Sequence, residues 1–587
     1  MLSREDDPQL EAEGELALAR LALDGGDLRH AANHLAGAVA LAPTHPEVLE
    51  TFAQLTTDHG SATLDLFPVS GNVYLGTVVA KGYVLALLGR TGEALEILCR
   101  ASEYDTTGAW AHAPWLADPA AATAIEPDDL LRSLSHLIRA LPGPADEPVR
   151  QALEPYLTLT GRVLDLHPDD DRLFGFASGL ARRIGGDRLA TSWAERAVAI
   201  EPSSLNEMFL GMAHREAGRI DEAVQAMKRA IESDPSHLPL YSDLADLLAR
   251  NDRTAEGLEW IARAEAIDPD YDCVVHVGAR LRYQMDNEIS HLVKLADYAR
   301  THPDTGCDHT DLAQACESLM WLGFLPDASE SCTNLLAHYL AQGEPAAGSV
   351  RLAISDLEPP SAIAVFKRAL PGSAVAFSRI PKPDPRKAAR RVKTVVWKYK
   401  GAQAVPAVPP PPVAAVRAIQ DVTTLLLRDP VATYDQAVRL ATVPLEDLLG
   451  LLVHPPDPAE GLSAQPSWWT RGVQAWACLG LLHYRTDEPW HGSVRRRILW
   501  DLVYGPEDWV TEAALFALVI AAWVDPLVRK DIAGIVADRL DLLAKAWRRR
   551  PVTIIGKIAK LALVTPGLDP RTRALALSIA AAEQTNV

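Results

Sequence analysis

The chain has 587 residues and a formal net charge of -20, with 48% hydrophobic and 23% charged residues. It is too long for one hydrophobic core, so several structural units are expected. The charge is uneven: residues 1–378 carry a net -28, residues 379–400 carry +8, and residues 401–587 carry zero. Because carboxylates repel phosphates, this distribution argues against general DNA binding by the acidic part.

The chain begins with the acidic stretch MLSREDDPQLEAEGE, which lacks the apolar core of a signal peptide. Its six cysteines are scattered and form no CxxC pair, which predicts reduced thiols in the cytoplasm. The uncharged run Ala513–Val524 is too short to span a bilayer and predicts a buried helix. The Ala-, Arg- and Leu-rich composition suggests a bacterial source.

A ladder of prolines runs through the middle of the chain. Its members are Pro168, Pro202, Pro235, Pro269 and Pro303, and their successive spacings are 34, 33, 34 and 34 residues. Proline cannot continue the helix that precedes it, so each one predicts the end of an amphipathic helix and the start of the next pair. The period of about 34 residues predicts a stack of repeated helical hairpins.

This pattern resembles the tetratricopeptide repeat (TPR), a helix–turn–helix unit of about 34 residues. The clearest copy is Leu205–Asp234, in which Gly211 takes the small position of the first helix and Gly218 takes the turn. Ala223 and Ala230 take the crowded face of the second helix, where two helices cross closely. The small residues are therefore predicted to be a packing requirement.

The same frame extends to other parts of the chain. Further copies are predicted at 171–203, 238–271, 272–305, 309–342, 12–45 and about 75–108. The copy at 272–305 is degenerate, because His291 and Tyr298 replace alanines. Residues 109–170 contain helix but match the repeat poorly. The fold class is predicted to be all-α, with a TPR superhelical solenoid followed by a second α-helical, HEAT-like solenoid domain.

The resemblance implies a concave groove lined by the first helices of the repeats, which binds a peptide or helix of a protein partner. The predicted groove residues are Arg172, Arg182, Met208, Met212, Arg215, Ser242, Asp246, His276, Arg280 and Tyr283. Methionine offers adaptable apolar contact, and arginine pairs with carboxylate through two nitrogens. A non-enzymatic scaffold or adaptor is the function that this lining favours, with neither cofactor nor metal.

The stretch after the repeats is basic and then proline-rich. Its candidate binding residues are Arg386, Lys387, Arg390, Arg391, Lys393, Trp397, Lys398 and Lys400. The apolar residues Val392, Val395, Val396 and Trp397 of this stretch predict a short helix or strand that docks on the acidic part of the same chain. The alternative is a nucleic-acid-associated protein, in which this segment and the Trp- and Arg-rich C-terminal domain bind phosphates and stack on bases. A membrane or another partner remains a third possibility.

The C-terminal third is predicted to be helical without the 34-residue frame. The phrases starting at Asp525 and Asp569 both place Asp-Pro before an Ala/Leu-rich helix, as in a HEAT-type repeat. Its tryptophans are predicted to fill the core. The segment Trp500–Trp509 also has residue types found in HEAT-like DNA glycosylases, and this remains a weak third hypothesis.

Motifs for other chemistry are largely missing from the sequence. It contains no GxSxG, HExxH, Walker A, GxGxxG or kinase motif. Cys307, His309, Cys316 and Cys332 have donor types that zinc accepts. Because Cys316 and Cys332 fall on packing positions of a repeat, core packing is the favoured interpretation.

Five segments follow from these patterns. They are an N-terminal helical region with degenerate repeats (1–135), a contiguous TPR array (136–345), a helical cap (346–378), a basic and proline-rich linker (379–412) and a C-terminal HEAT-like domain (413–587).

Overall fold

The computed structural model describes residues 8–319, 352–355, 360–361, 364–365, 375–378, 395–400 and 403–585, except 142, 185, 304–305, 463–465 and 550–551. Its contacts divide the chain into two compact units, Met1–Ile267 and Asp268–Val587. The division falls inside the stretch predicted as one contiguous repeat array. The five predicted segment boundaries stay a prediction.

The first unit is built from helices. They are α1 (Pro8–Asp24), α2 (Leu28–Leu41), α3 (Pro46–His59), α4 (Leu75–Leu87), α5 (Thr91–Tyr104), α6 (Pro114–Ala117), α7 (Pro119–Thr123), α8 (Pro127–Ala140), α9 (Glu147–Leu166), α10 (Asp171–Arg183), α11 (Asp187–Ile200), α12 (Ser204–Glu216), α13 (Ile220–Ser233), α14 (Leu238–Ala249) and α15 (Thr254–Glu265). Two 3-10 helices, Gly60–Leu66 and Ala109–His112, lie between them.

The predicted hairpins of this unit are present. The pairs α10–α11, α12–α13 and α14–α15 occupy the frames predicted from the proline ladder, and α1–α2 and α4–α5 occupy the two earlier ones. The poorly matching stretch 109–170 forms α6 to α9, and α9 is longer than the repeat helices at 20 residues. The periodic pattern therefore placed helices correctly where it was strong.

Close helix crossings explain the small residues of the repeats. A Cβ atom added at Gly211 would lie 2.8 Å from Cγ of Met227 and 3.3 Å from the carbonyl oxygen of Ala223. At Gly257 it would lie 2.9 Å from the carbonyl oxygen of Ala245. All three distances are shorter than ordinary van der Waals contact. The predicted packing role of the glycines is confirmed at these crossings.

The helix ends of the repeats follow from local chemistry. The side chain of Ser203 accepts a hydrogen bond from the backbone N–H of Asn206 at 3.3 Å and caps α12. Asp170 caps α10 in the same way through the N–H of Leu173. Such caps satisfy N–H groups that have no partner within the helix. Gly218 adopts a φ of 72° in the turn after α12, a conformation that glycine adopts without strain.

The second unit contains helices and two short strand pairs. Its helices are α16 (Asp272–Asp286), α17 (Ile289–Thr301), α18 (Cys307–Cys316), α19 (Val413–Thr423), α20 (Pro430–Gln436), α21 (Leu445–Val453), α22 (Pro466–Leu482), α23 (Val494–Val503), α24 (Trp509–Val524), α25 (Arg529–Trp547), α26 (Ile555–Leu563) and α27 (Pro570–Thr585). Its strands are β1 (Leu352–Ser355), β2 (Val375–Ser378), β3 (Trp397–Lys400) and β4 (Gln403–Pro406). The described part of this unit also contains two 3-10 helices, Ala437–Leu440 and Trp490–Gly492.

The strands depart from the sequence-based expectation. β1 and β2 pair in parallel, with Leu352 opposite Val375, inside the segment predicted as a helical cap. β3 and β4 pair antiparallel, with Trp397 opposite Pro406. Each strand has only four residues, and runs this short do not distinguish strand from helix by periodicity. The all-α fold class is otherwise confirmed.

Helix α24 is the centre of the second unit. All sixteen of its residues are buried, and it packs against α22, α23, α25 and α26. The prediction of a buried helix at Ala513–Val524 is confirmed. Among the residues that the structure describes, no helix has both the length and the apolar character needed to cross a membrane.

The helices of the degenerate repeat pack in the second unit with the C-terminal helices. On α17, Asp297 lies 2.5 Å from Nη2 of Arg529, and Arg300 lies 3.5 Å from Asp435. The apolar residues Leu292 and Ala296 of α17 belong to the same core cluster as α22 and α24. The helical pattern of 272–305 therefore completes a larger core.

Candidate functional site

Helix α12 carries a partly exposed strip of groove residues in the first unit. Met208 and Met212 are four residues apart, so they lie on one side of the helix, and both are half-buried. Arg215 follows one turn later, and its side chain is 35% exposed. We call Met208, Met212 and Arg215 the α12 strip. It presents two flexible apolar side chains beside a guanidinium.

A charged cluster lies at the end of this strip. Arg182 Nη1 lies 2.5 Å from Oε1 of Glu216, and Arg215 Nη2 lies 3.4 Å from the same oxygen. Burial lowers the pKa of Arg182, whereas Glu216 opposes this shift. Burial raises the pKa of Asp243 on α14, and the charge of Arg215 opposes it. One carboxylate oxygen of Glu216 thus forms ion pairs with the guanidinium groups of both Arg182 and Arg215.

The remaining groove residues of the first unit differ in exposure. Arg172 is exposed and forms ion pairs of 3.4 Å with Asp128 and with Asp170. Ser242 is buried, and its hydroxyl has no hydrogen-bond partner among the described residues. Asp246 is half-buried on α14. Ligand contact by any of these residues stays a prediction.

The predicted groove residues of the second unit gather on α16. His276 is 8% exposed, and its Nδ1 lies 2.5 Å from Oδ2 of Asp311 on α18. Arg280 Nε lies 3.3 Å from the same oxygen, and Tyr283 packs partly buried against the core. Burial would raise the pKa of Asp311, but the hydrogen bond from His276 and the charge of Arg280 lower it overall.

The cysteine and histidine residues considered for zinc do not form one cluster among the described residues. Cys316 is fully buried in the core of the second unit, as the packing interpretation predicted. Cys307 is exposed at the start of α18, and His309 Nδ1 lies 4.0 Å from Asp429. Cys332 lies outside the described residues.

A different donor set is close together instead. Asp272, Cys273 and His276 place one potential ligand atom each within 4.8 Å of the others. The sequence-based search missed this set because it considered only the donors around Cys307–Cys316 and Cys332. The available signal was the helical spacing of Cys273 and His276, three residues apart.

Only the end of the basic segment is described. Arg386, Lys387, Arg390, Arg391 and Lys393 lie outside the described residues.

The described end consists of Trp397, Lys398 and Lys400 in β3. Val396 and Trp397 are buried in the core cluster of the second unit, with Trp397 only 5% exposed, whereas Lys398 is exposed. The indole of Trp397 is therefore part of a core and is not an open stacking surface.

The C-terminal helices enclose charged groups. Arg471 on α22 and Glu512 on α24 approach to 3.2 Å, with exposed side-chain fractions of 4% and 0%. The guanidinium of Arg471 also lies 5.1 Å from the ring of Trp509. Asp508 is fully buried and accepts hydrogen bonds from the backbone and hydroxyl of Ser361. Trp509 and Asp508, considered above for glycosylase chemistry, therefore contribute to packing.

Comparison with known families supports the repeats. The tetratricopeptide repeat family model matches residues 210–272, which include α13, α14 and α15. The chain therefore contains tetratricopeptide repeats, within a predominantly helical fold. Comparison with curated proteins finds no significant match.

Solved structures give alignments of low similarity. A TPR protein from Parabacteroides merdae is 13% identical over 52% of this chain and 99% of its own, with a TM-score of 0.27. YrrB, described as a TPR protein with an unusual peptide-binding site, is 16% identical over 39% of this chain and 97% of its own, with a TM-score of 0.22. The human IFIT1 dimer with m7Gppp-AAAA is 14% identical over 63% of this chain and 95% of its own, with a TM-score of 0.26. Scores of this size support no functional inference.

Proposed function

We propose that this protein is a scaffold that binds a peptide or short helix of a protein partner on the α12 strip. The observation that carries the proposal is the partial exposure of Met208, Met212 and Arg215 on one helix of a TPR hairpin. Proteins with these repeats typically bind protein partners. The proposal specifies the chemistry of the partner's binding segment and leaves the partner unnamed.

The strip favours a ligand with an apolar side chain followed by a carboxylate. Met208 and Met212 can adapt their unbranched side chains to an apolar group, and the thioether is polarizable. Arg215 lies 3.4 Å from the Glu216 oxygen that Arg182 approaches to 2.5 Å, and its side chain is 35% exposed, so a partner can reach its guanidinium. A carboxylate from the partner would add a charge-assisted hydrogen bond to Arg215.

The test compares two triple variants of the full-length chain. The first, Met208→Ala, Met212→Ala and Arg215→Ala, removes the strip. The control, Glu222→Ala, Gln225→Ala and Glu232→Ala, changes three exposed residues of α13. Both are screened against a displayed library of random peptides, and circular dichroism checks that their helix content is unchanged.

The wild type and the α13 control should enrich the same peptides, with an apolar residue followed by Asp or Glu. The strip variant should lose this enrichment. If the strip variant enriches the same peptides with the same affinity, the strip is not the binding surface. If the control loses them too, the contact is not local to α12.

The proposal assigns no catalytic residue and places the scaffold in a reducing, bacterial cytoplasm. Among the five cysteines that the structure describes, no disulfide is formed, which fits that compartment. The nucleic-acid alternative has weaker support, because Trp397 is buried in a core.

A further inference from the structure

The first turn of α16 carries three kinds of metal-binding atom. Asp272 supplies oxygen, Cys273 supplies sulfur and His276 supplies nitrogen, and one atom of each lies within 4.8 Å of the other two. The separations of three and four residues to His276 bring these side chains to the same side of a helix. Oxygen, thiolate and imidazole are all ordinary ligands of Zn²⁺.

The hydrogen bonding of the His276 ring suits a metal ligand. Its Nδ1 pairs with Asp311, and Nε2 is buried with no hydrogen-bond partner among the described residues. When Nδ1–H donates to a carboxylate, the neutral ring keeps a lone pair on Nε2. Metal-binding histidines usually have this arrangement, with a carboxylate on the second nitrogen. A buried nitrogen without a partner is otherwise costly.

Asp272 gives a second, independent observation. Its Oδ1 is also buried without a hydrogen-bond partner in the described part of the chain. Its carboxylate lies in the first turn of α16 and offsets the positive end of the helix dipole, which alone would disfavour a cation.

We propose that Asp272, Cys273 and His276 bind one divalent cation of the zinc class, with water in the fourth position. Asp311 is a positioning residue, because it holds the imidazole through Nδ1 and does not reach the metal. The site joins residues of α16 to α18 through Asp311, so a bound cation stabilises the second unit. This proposal is independent of the peptide-binding role of the α12 strip.

Cobalt is a suitable spectroscopic probe, because Co²⁺ bound to thiolate gives a charge-transfer band in the near ultraviolet. The full-length chain, reduced and freed of metal, is titrated with Co²⁺ and then with Zn²⁺. One Co²⁺ per chain should bind with this band, and Zn²⁺ should abolish it. Cys273→Ser should remove the band. Asp311→Asn should keep the band and weaken affinity about 10- to 100-fold.

The chain offers matched controls. His291 on α17 pairs with Asp286 at 2.9 Å, as His276 pairs with Asp311, but belongs to no donor cluster among the described residues. His291→Ala and Cys307→Ser should both bind Co²⁺ as the wild type does. The site is disproved if the wild type shows no band, if Cys273→Ser keeps it, or if Cys307→Ser alone removes it.

A melting experiment gives a second readout that does not depend on spectroscopy. Zn²⁺ should raise the melting temperature of the wild type and leave that of Cys273→Ser unchanged. Equal shifts in both proteins would mean that the metal binds elsewhere and would contradict the proposal.

Discussion

The repeats of the first unit and the C-terminal helices of the second are both helical, but they pack by different rules. In the repeats, helices adjacent in sequence cross closely at glycine and alanine, as at Gly211 and Gly257. In the C-terminal region, α24 is buried on all sides and carries Glu512 into the interior to meet Arg471. Local packing imposes a sequence period, whereas packing around a central helix imposes mainly an apolar composition.

The largest effect should come from breaking the interior ion pair. Glu512→Ala leaves the guanidinium of Arg471 buried without its charge partner, so the free energy of unfolding should fall by about 3–5 kcal/mol. Urea unfolding followed by circular dichroism measures the change. Glu512→Gln also removes the charge but keeps the side-chain volume and one acceptor oxygen, so it should cost less than Glu512→Ala. An equal loss in both variants would show that charge, and not packing, dominates at this position.

The next effect should come from filling a helix crossing in the repeats. Gly211→Val places methyl groups against Met227 and the Ala223 carbonyl, so overpacking should lower the free energy of unfolding by about 1–3 kcal/mol. Gly14, in the exposed middle of α1, has no neighbour within 4 Å of an added Cβ. Gly14→Ala is therefore the control and should stabilise the chain by up to about 1 kcal/mol. A tolerated Gly211→Val would contradict the close-crossing rule.

A smaller change in the free energy of unfolding, which should depend on pH, is expected at the Arg496–Asp531 pair of the second unit. The hydrogen bonds from Arg496 lower the pKa of Asp531 below its usual 3.8, with burial opposing them and Trp490 assisting. A lowered pKa means that the charged carboxylate stabilises the fold above pH 3.8, and this contribution is lost as the pH falls through the lowered value.

Asp531→Asn should therefore cost about 1–2 kcal/mol near neutral pH, and its difference from the wild type should shrink below pH 3.8. Urea unfolding at a series of pH values measures the difference. A difference that is constant with pH would mean that the carboxylate charge does not contribute.

The smallest effect should come from an exposed ion pair of the first unit. Arg20 and Glu47 lie 2.6 Å apart, but their side chains are 46% and 55% exposed. Solvent and salt weaken such pairs, so Arg20→Ala should change the free energy of unfolding by less than about 1 kcal/mol. A loss comparable to that of Glu512→Ala would remove the contrast between exposed and buried pairs.

The sequence predicted the repeat helices closely and the candidate sites only in part. The frame around Gly211 was predictable because both partners of the crossing lie within one hairpin. It also identified Met208 and Met212 as side chains of one helix face. The pairing of His276 with Asp311 was not predictable, since it joins residues of α16 and α18 that are 35 positions apart in the sequence. The strands β1, β2 and β4 were missed, and β3 was predicted only as a short element, because four residues carry too little periodicity.

The sequence by itself determined the hairpin repeats, their small-residue crossings and the buried character of α24, because each follows from neighbouring residues or from composition. Only the tertiary structure decided that Trp397 belongs to a core, that α17 packs with α22 and α24, and that Asp272, Cys273 and His276 face one another with Asp311 behind the ring. These features depend on which distant helices meet. Several distant partners would satisfy the same apolar or charged side chain, and the pattern of one segment does not choose among them.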